Sequence, residues 1–211
     1  LTGVQTCALP IFYTKRKLWA LASFVQKSGS LKLKILVTKV AMQITKLYRF
    51  TYQSGTWGAG GGPLSGTLYI PSLIKELNIL KQISSSKDDF LKNESSASFQ
   101  NYCAMTGSTS RLSLSATESF DYIFLDPPFG SNLNYSELAF LWESWLKVWT
   151  NNKPEAIENS VQCKGINEYR LLMTECFKEA YRLLKPGHWM TIEFSNTQAY
   201  VWNKIGRASC R

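Results

Sequence analysis

Phe120-Asp121-Tyr122-Ile123-Phe124-Leu125-Asp126-Pro127-Pro128-Phe129-Gly130 is the stretch that decides the fold class. Its first six residues are a short apolar run with β-favouring side chains, the composition of a buried strand. Two consecutive prolines end it, because neither can donate to a sheet ladder. Downstream, residues 168–184 place Tyr169, Leu172, Met173, Cys176, Phe177, Ala180, Leu183 and Leu184 at helical spacing, and Pro186-Gly187 stops the repeat. Residues 188–194 read as a second strand. Residues 137–149 read as a helix with Leu138, Leu141, Trp142, Trp145 and Trp149 turned inward. Strand, helices, strand predicts an α/β fold, a parallel sheet wrapped by helices.

Upstream the signals are mostly helical. Residues 18–26 and 31–47 predict two helices broken at Ser28-Gly29-Ser30. In the second, Leu33, Leu36, Val37, Val40, Ala41, Ile44 and Leu47 form an apolar stripe flanked by lysines. Residues 55–66 read as a glycine-rich loop, 67–70 as a short extended piece and 72–82 as a helix. Residues 84–98 are serine-rich and read as a loop, and 101–117 as holding a short strand.

Composition excludes several classes. The chain has 211 residues, 45% of them apolar and 18% charged, enough for a real core and unlike a disordered tail. The longest apolar stretch, 31–50, is interrupted by Lys32, Lys34, Lys39 and Lys46, which rules out a transmembrane helix there. Residues 1–11 and 205–211 resemble the translation of sequencing-adapter DNA, and the codon phase at Phe12 and Lys204 agrees with that origin. The natural segment is then expected to be 12–204, an internal fragment. Within it Cys103, Cys163 and Cys176 remain, with no CxxC or Cys/His spacing, so neither a metal site nor a disulfide framework is expected. Residues 12–50 hold nine Lys/Arg and no acid, whereas 51–204 hold 13 against 15. Such a block suits a polyanion such as nucleic acid, or equally a solvated helix face.

The tetrad Asp126-Pro127-Pro128-Phe129 carries the chemistry. In open α/β sheets ligands bind beyond the carboxyl ends of strands, where these residues fall. An aromatic amine is a poor nucleophile because its lone pair is delocalised into the ring. The Asp126 carboxylate can accept one amino hydrogen and the Pro127 carbonyl the other, drawing the nitrogen towards tetrahedral geometry and freeing the lone pair for an electrophilic methyl. Paired prolines fix φ near −65° and aim that carbonyl. Phe129 offers a ring on which an extruded base can stack. By composition, Asp-Pro-Pro arises by chance in roughly 2–3% of chains this long. The alternative is a plain loop ended by its prolines. Asn132 and Tyr135 can contact the base, or can serve the following helix, with Ser136 as its N-cap.

Residues 120–129, the helix ending Tyr181-Arg182-Leu183-Leu184-Lys185-Pro186-Gly187 and the strand after it resemble S-adenosylmethionine-dependent DNA amino-methyltransferases (N6-adenine or N4-cytosine). The run from Asp126 to Leu138, Trp142-Glu143-Ser144-Trp145-Leu146 and Gly66-Thr67-Leu68-Tyr69-Ile70-Pro71-Ser72 extend the likeness to one branch of that family. The resemblance implies a partial class I, Rossmann-like methyltransferase core at 119–204. A basic helical segment at 12–50 and glycine- and serine-rich loops with a short helix at 51–118 would precede it. It implies S-adenosyl-L-methionine as cofactor, DNA as partner, a restriction-modification setting and a cytoplasmic, prokaryotic location, with no membrane. Asp126, Pro127, Pro128 and Phe129 would be catalytic, and Gly130, Asn132 and Tyr135 substrate-binding. The family's glycine-rich cofactor turn is not found. Gly58-Ala59-Gly60-Gly61-Gly62 follows no apolar strand and precedes Pro63, so it reads as a flexible loop and the cofactor residues stay unassigned. His188 stands where the family often has glycine and reads as a surface turn residue. An RNA or protein amide methyltransferase, or a non-catalytic nucleic-acid-binding module of the same fold, remains open.

Overall fold

The computed structural model describes residues 3–27, 29, 31–94, 102–112 and 116–209. Helix and strand are mixed. In chain order the elements are α1 (Gly3–Phe12), α2 (Lys15–Lys27), α3 (Leu31–Gln43), β1 (Thr51–Gln53), β2 (Thr56–Gly60), α4 (Ile79–Glu94), β3 (Phe120–Leu125), α5 (Tyr135–Leu146), α6 (Ile166–Leu183), β4 (Leu184–Ile192) and α7 (Ala199–Ser209). They form two compact units, Leu1–Tyr102 with Glu137–Thr150, and Cys103–Ser136 with Asn151–Arg211. No helix among the described residues is long and apolar enough to cross a membrane.

The first unit is built on the stripe of α3. Val37, Val40, Ala41, Ile44 and Leu47 are buried with Leu9, Tyr13, Leu21, Leu141 and Trp145. Burying each large aliphatic side chain contributes roughly 1.5–3 kcal/mol. Tyr13 is fully buried, and its hydroxyl donates to Ala41 O (3.0 Å) while accepting from Trp145 Nε1 (3.1 Å). Trp142 Nε1 donates to Thr38 O at 3.0 Å. These tryptophans pack a core; they are not a stacking surface for bases. Trp149 does not join them: α5 ends at Leu146, Lys147 takes φ +58°, and Trp149 is exposed.

Several expected boundaries move, each for a local reason. The helix expected to reach 47 ends at Gln43, where the Thr45 hydroxyl bonds Met42 O and receives Leu47 N–H, a turn that competes with the helical ladder. The helix expected at 72–82 is instead α4. Asn78 caps it, its Oδ1 accepting N–H bonds from Leu80 and Lys81. The serine-rich segment thus continues the helix to Glu94, and 95–98 lie outside the described residues. The glycine-rich loop is a hairpin: β1 and β2 pair antiparallel, and Gly61, at φ +102°, lets the chain pass Arg49 O where a Cβ would stand 2.5 Å away. No strand occurs within 102–112 or 116–117, and none at 67–70.

The second unit holds the expected strand–helix–strand. β3 and β4 pair in parallel from Tyr122↔Trp189 to Leu125↔Ile192, with an irregularity before Tyr122 that absorbs Lys185 to His188. α6 is capped at Gly165, whose N–H donates to the Glu168 carboxylate at 3.0 Å. Its inward face, Tyr169, Met173, Phe177 and Ala180, is buried as the spacing predicts, and the first three share a core with Val201, Ile205 and Ala208 of α7. The expectation of a buried β3 fails. Phe120, Tyr122 and Phe124 are 42–56% exposed, because the sheet has only two strands among the described residues and part of β3 lacks a cover.

Candidate active site

β3 brings Asp126 to the end of the sheet. Glu193 N–H donates to Leu125 O at 2.9 Å, the last bond before two residues with no N–H of their own. The loop that follows is held from three directions. Tyr169 on α6 donates its hydroxyl to Pro128 O (2.6 Å), Asn196 donates its Nδ2 to Phe129 O (2.8 Å), and Glu158 N–H donates to Gly130 O (3.1 Å). The Phe129 ring meets Phe194 edge-on at 5.3 Å, and Phe194 meets Trp202 likewise at 4.9 Å. Trp202 Nε1 in turn fixes Asn196 O at 2.8 Å.

Gly130 is buried at φ +72°, and a Cβ there would stand 3.4 Å from Asn196 Nδ2. It is thus a turn residue demanded by the backbone. The pattern of bonding is the informative part. Three successive carbonyls, those of Pro128, Phe129 and Gly130, are each claimed. Among the described residues none donates to the Asp126 carboxylate or to the Pro127 carbonyl. Both acceptors singled out by the chemistry are left open.

Tyr135, the first residue of α5, is gathered near this corner. Burial pushes its phenol pKa up, and the negative charges of Asp126 and Glu155 add to the shift. Asn132 is exposed in the turn after Gly130. Ser136 is not the cap of α5. It lies inside the first turn, and the Glu155 carboxylate accepts both its N–H (2.9 Å) and its hydroxyl (2.6 Å), placing negative charge at the helix N-terminus. Glu155 is held in turn, because the buried Lys164 donates Nζ to Asn152 O (2.6 Å) and Glu155 O (2.7 Å). Tyr169, Asn196, Glu155 and Lys164 were not found as site residues by sequence reasoning. The only signal was at Tyr169, where a tyrosine on an inward helix face needs a partner for its hydroxyl.

Beside Asp126 lies a groove of about 550 Å³, lined by Phe120, Tyr122 and Phe124 of β3 and by Met173, Phe177 and Leu183 of α6. That size lies within the ordinary range of small-ligand sites. Cys176 also lines it, but burial pushes its thiol pKa up, the wrong direction for a nucleophile. His188 is exposed, with Nε2 3.5 Å from Asp121. Among the described residues no three His, Cys, Asp or Glu side chains cluster as a metal site would require.

The basic block is partly structural. Lys17 is buried with its Nζ 4.0 Å from Glu76, and Lys46 donates to Pro10 O and Ile11 O. Lys17 is thus held inside the unit. Comparison with protein-family models, with curated proteins and with solved structures finds no match to this chain.

Proposed function

We propose that the chain carries the amino-group site of an S-adenosylmethionine-dependent DNA methyltransferase acting on a flipped base, with N6 of adenine favoured over N4 of cytosine. One observation carries the reading: an open carboxylate and an open carbonyl, on consecutive residues, precede three carbonyls that are all held. Asp126 would take one amino hydrogen and Pro127 O the other, which localises the nitrogen lone pair for attack. Phe129, set edge-on by Phe194, would bear the base face. Attack by the amine is direct, so no enzyme nucleophile is needed. The parallel β3–α6–β4 crossover is compatible with the Rossmann-like core that the reading implies.

The glycine run does not supply a site for the methyl donor. Gly58 to Gly60 belong to β2 and Gly61 packs on Arg49 O, so the glycine run is not a turn between a strand and a helix. The roles derived therefore stop at the amino group. The test is methyl transfer from labelled S-adenosylmethionine, at millimolar concentration, to duplex DNA, RNA and protein in parallel. Label in DNA, on adenine N6, is expected. Label confined to RNA or protein would overturn the DNA reading.

A further inference from the structure

The β1–β2 hairpin carries a surface that the amino-group site does not use. Its two-residue turn, Ser54-Gly55, has φ +52° and +78°, the left-handed pair that suits the twist of a tight hairpin. The register pairs Gln53 with Thr56 and Tyr52 with Trp57, so Tyr52 and Trp57 share one face. Phe50, two residues before Tyr52, joins them: its ring lies parallel to Trp57 (6.0 Å, 6° between planes), while Tyr52 meets Trp57 edge-on at 5.3 Å. Folding ordinarily turns such a face towards a core, yet Phe50, Tyr52 and Trp57 are 39%, 57% and 64% exposed.

The setting indicates what would cover it. The hairpin itself has no charged residue, and its tip is polar rather than the apolar point that would enter a bilayer. The unit that bears it has 14 Lys/Arg against 6 Asp/Glu, whereas the other unit has 10 against 9. A strongly positive body presenting ordered, uncharged π-faces matches the two needs of an unpaired strand, phosphate neutralisation and base stacking.

We propose that the Phe50, Tyr52 and Trp57 face is a stacking platform for the bases of single-stranded nucleic acid, bound without sequence preference. The proposal does not depend on the methyltransferase reading. It is tested by fluorescence anisotropy of a labelled thymidine oligonucleotide, about 15 nucleotides long to span one such site, with inorganic polyphosphate as a charge-only competitor. Trp57→Ala is expected to weaken oligonucleotide binding about tenfold, the loss of one stacked base, and to leave polyphosphate binding unchanged. Trp57→Phe, which keeps a ring, should hold most of the affinity. Equal oligonucleotide affinity in the wild type and Trp57→Ala would overturn the platform. So would equal losses for oligonucleotide and polyphosphate, or Trp57-dependent binding to anionic phospholipid vesicles without oligonucleotide binding.

Discussion

Replacing Tyr169 by phenylalanine removes one oxygen and nothing else from the clamp on the Asp126 loop. The ring stays fully buried, so no cavity opens. What is lost is the 2.6 Å bond to Pro128 O, leaving a half-buried carbonyl unpaired. An orphaned buried acceptor costs about 1–3 kcal/mol, and partial access of water to Pro128 favours the lower part, about 1–2 kcal/mol. For a chain of this size that is a fall in Tm of about 3–6 °C. Glu158 N–H, which bonds the next stretch of the loop at Gly130 O, should lose protection against hydrogen exchange. The pH dependence has a definite sign. Burial holds the Tyr169 phenol well above its ordinary value of 10.0. Its contribution is therefore complete below pH 10, and is lost at higher pH as the unfolded chain gives up its proton first. Tyr13, raised likewise by burial, loses its own share in wild type and variant alike and so cancels from the comparison. The gap between wild type and Tyr169→Phe should narrow in thermal melts above pH 10. Equal Tm values at neutral pH with unchanged protection of Glu158 would refute the clamp.

Gly130→Ala should cost about 1–2 kcal/mol, because its left-handed backbone disfavours any side chain. A denaturant midpoint equal to the wild type would count against it. At acid pH the Arg182 guanidinium, helped by Leu112 N–H, holds the Glu179 carboxyl at about 2, below its ordinary 4.5. Its contribution is present above 4.5 and lost as pH falls towards 2, so Glu179→Gln should lose less stability than wild type across that window in circular dichroism titrations. Identical acid midpoints would contradict this.

What sequence reading reached, and what it missed, follows from the range of the forces involved. The inward faces of α3 and α6 were legible because periodicity reports burial directly: Val37, Val40, Tyr169 and Met173 are buried where spacing puts them. The parallel pairing of β3 and β4 followed from the order of elements. Helix α4 was misplaced because its start depends on one cap, Asn78, and its serines were read as loop formers although a capped amphipathic helix tolerates them. The hairpin was hidden because a glycine run reads as loop, while its register is seen only in the pairing of Tyr52 with Trp57 across the strands. At the site, the tetrad was legible through covalent chemistry, since two prolines must end a strand. Its supports were not. Asn196 and Glu155 lie 67 and 19 residues from the atoms they bind, and no local pattern encodes such contacts.

The claim that Asp126 and Pro127 O hold an exocyclic amino group is tested most directly by deleting that group from the base. Equilibrium binding is compared for a duplex with one adenine opposite an abasic site, which lowers the cost of extrusion, and for the same duplex with purine, where hydrogen replaces the amino group. A bond to a carboxylate is worth about 1.5–3 kcal/mol when sheltered, and the exposure of Asp126 reduces this to roughly a tenfold preference for adenine. Asp126→Ala should reduce the preference to the share held by Pro127 O and leave purine affinity as it was. Equal affinity for the two duplexes, or a preference undiminished by Asp126→Ala, would contradict the account.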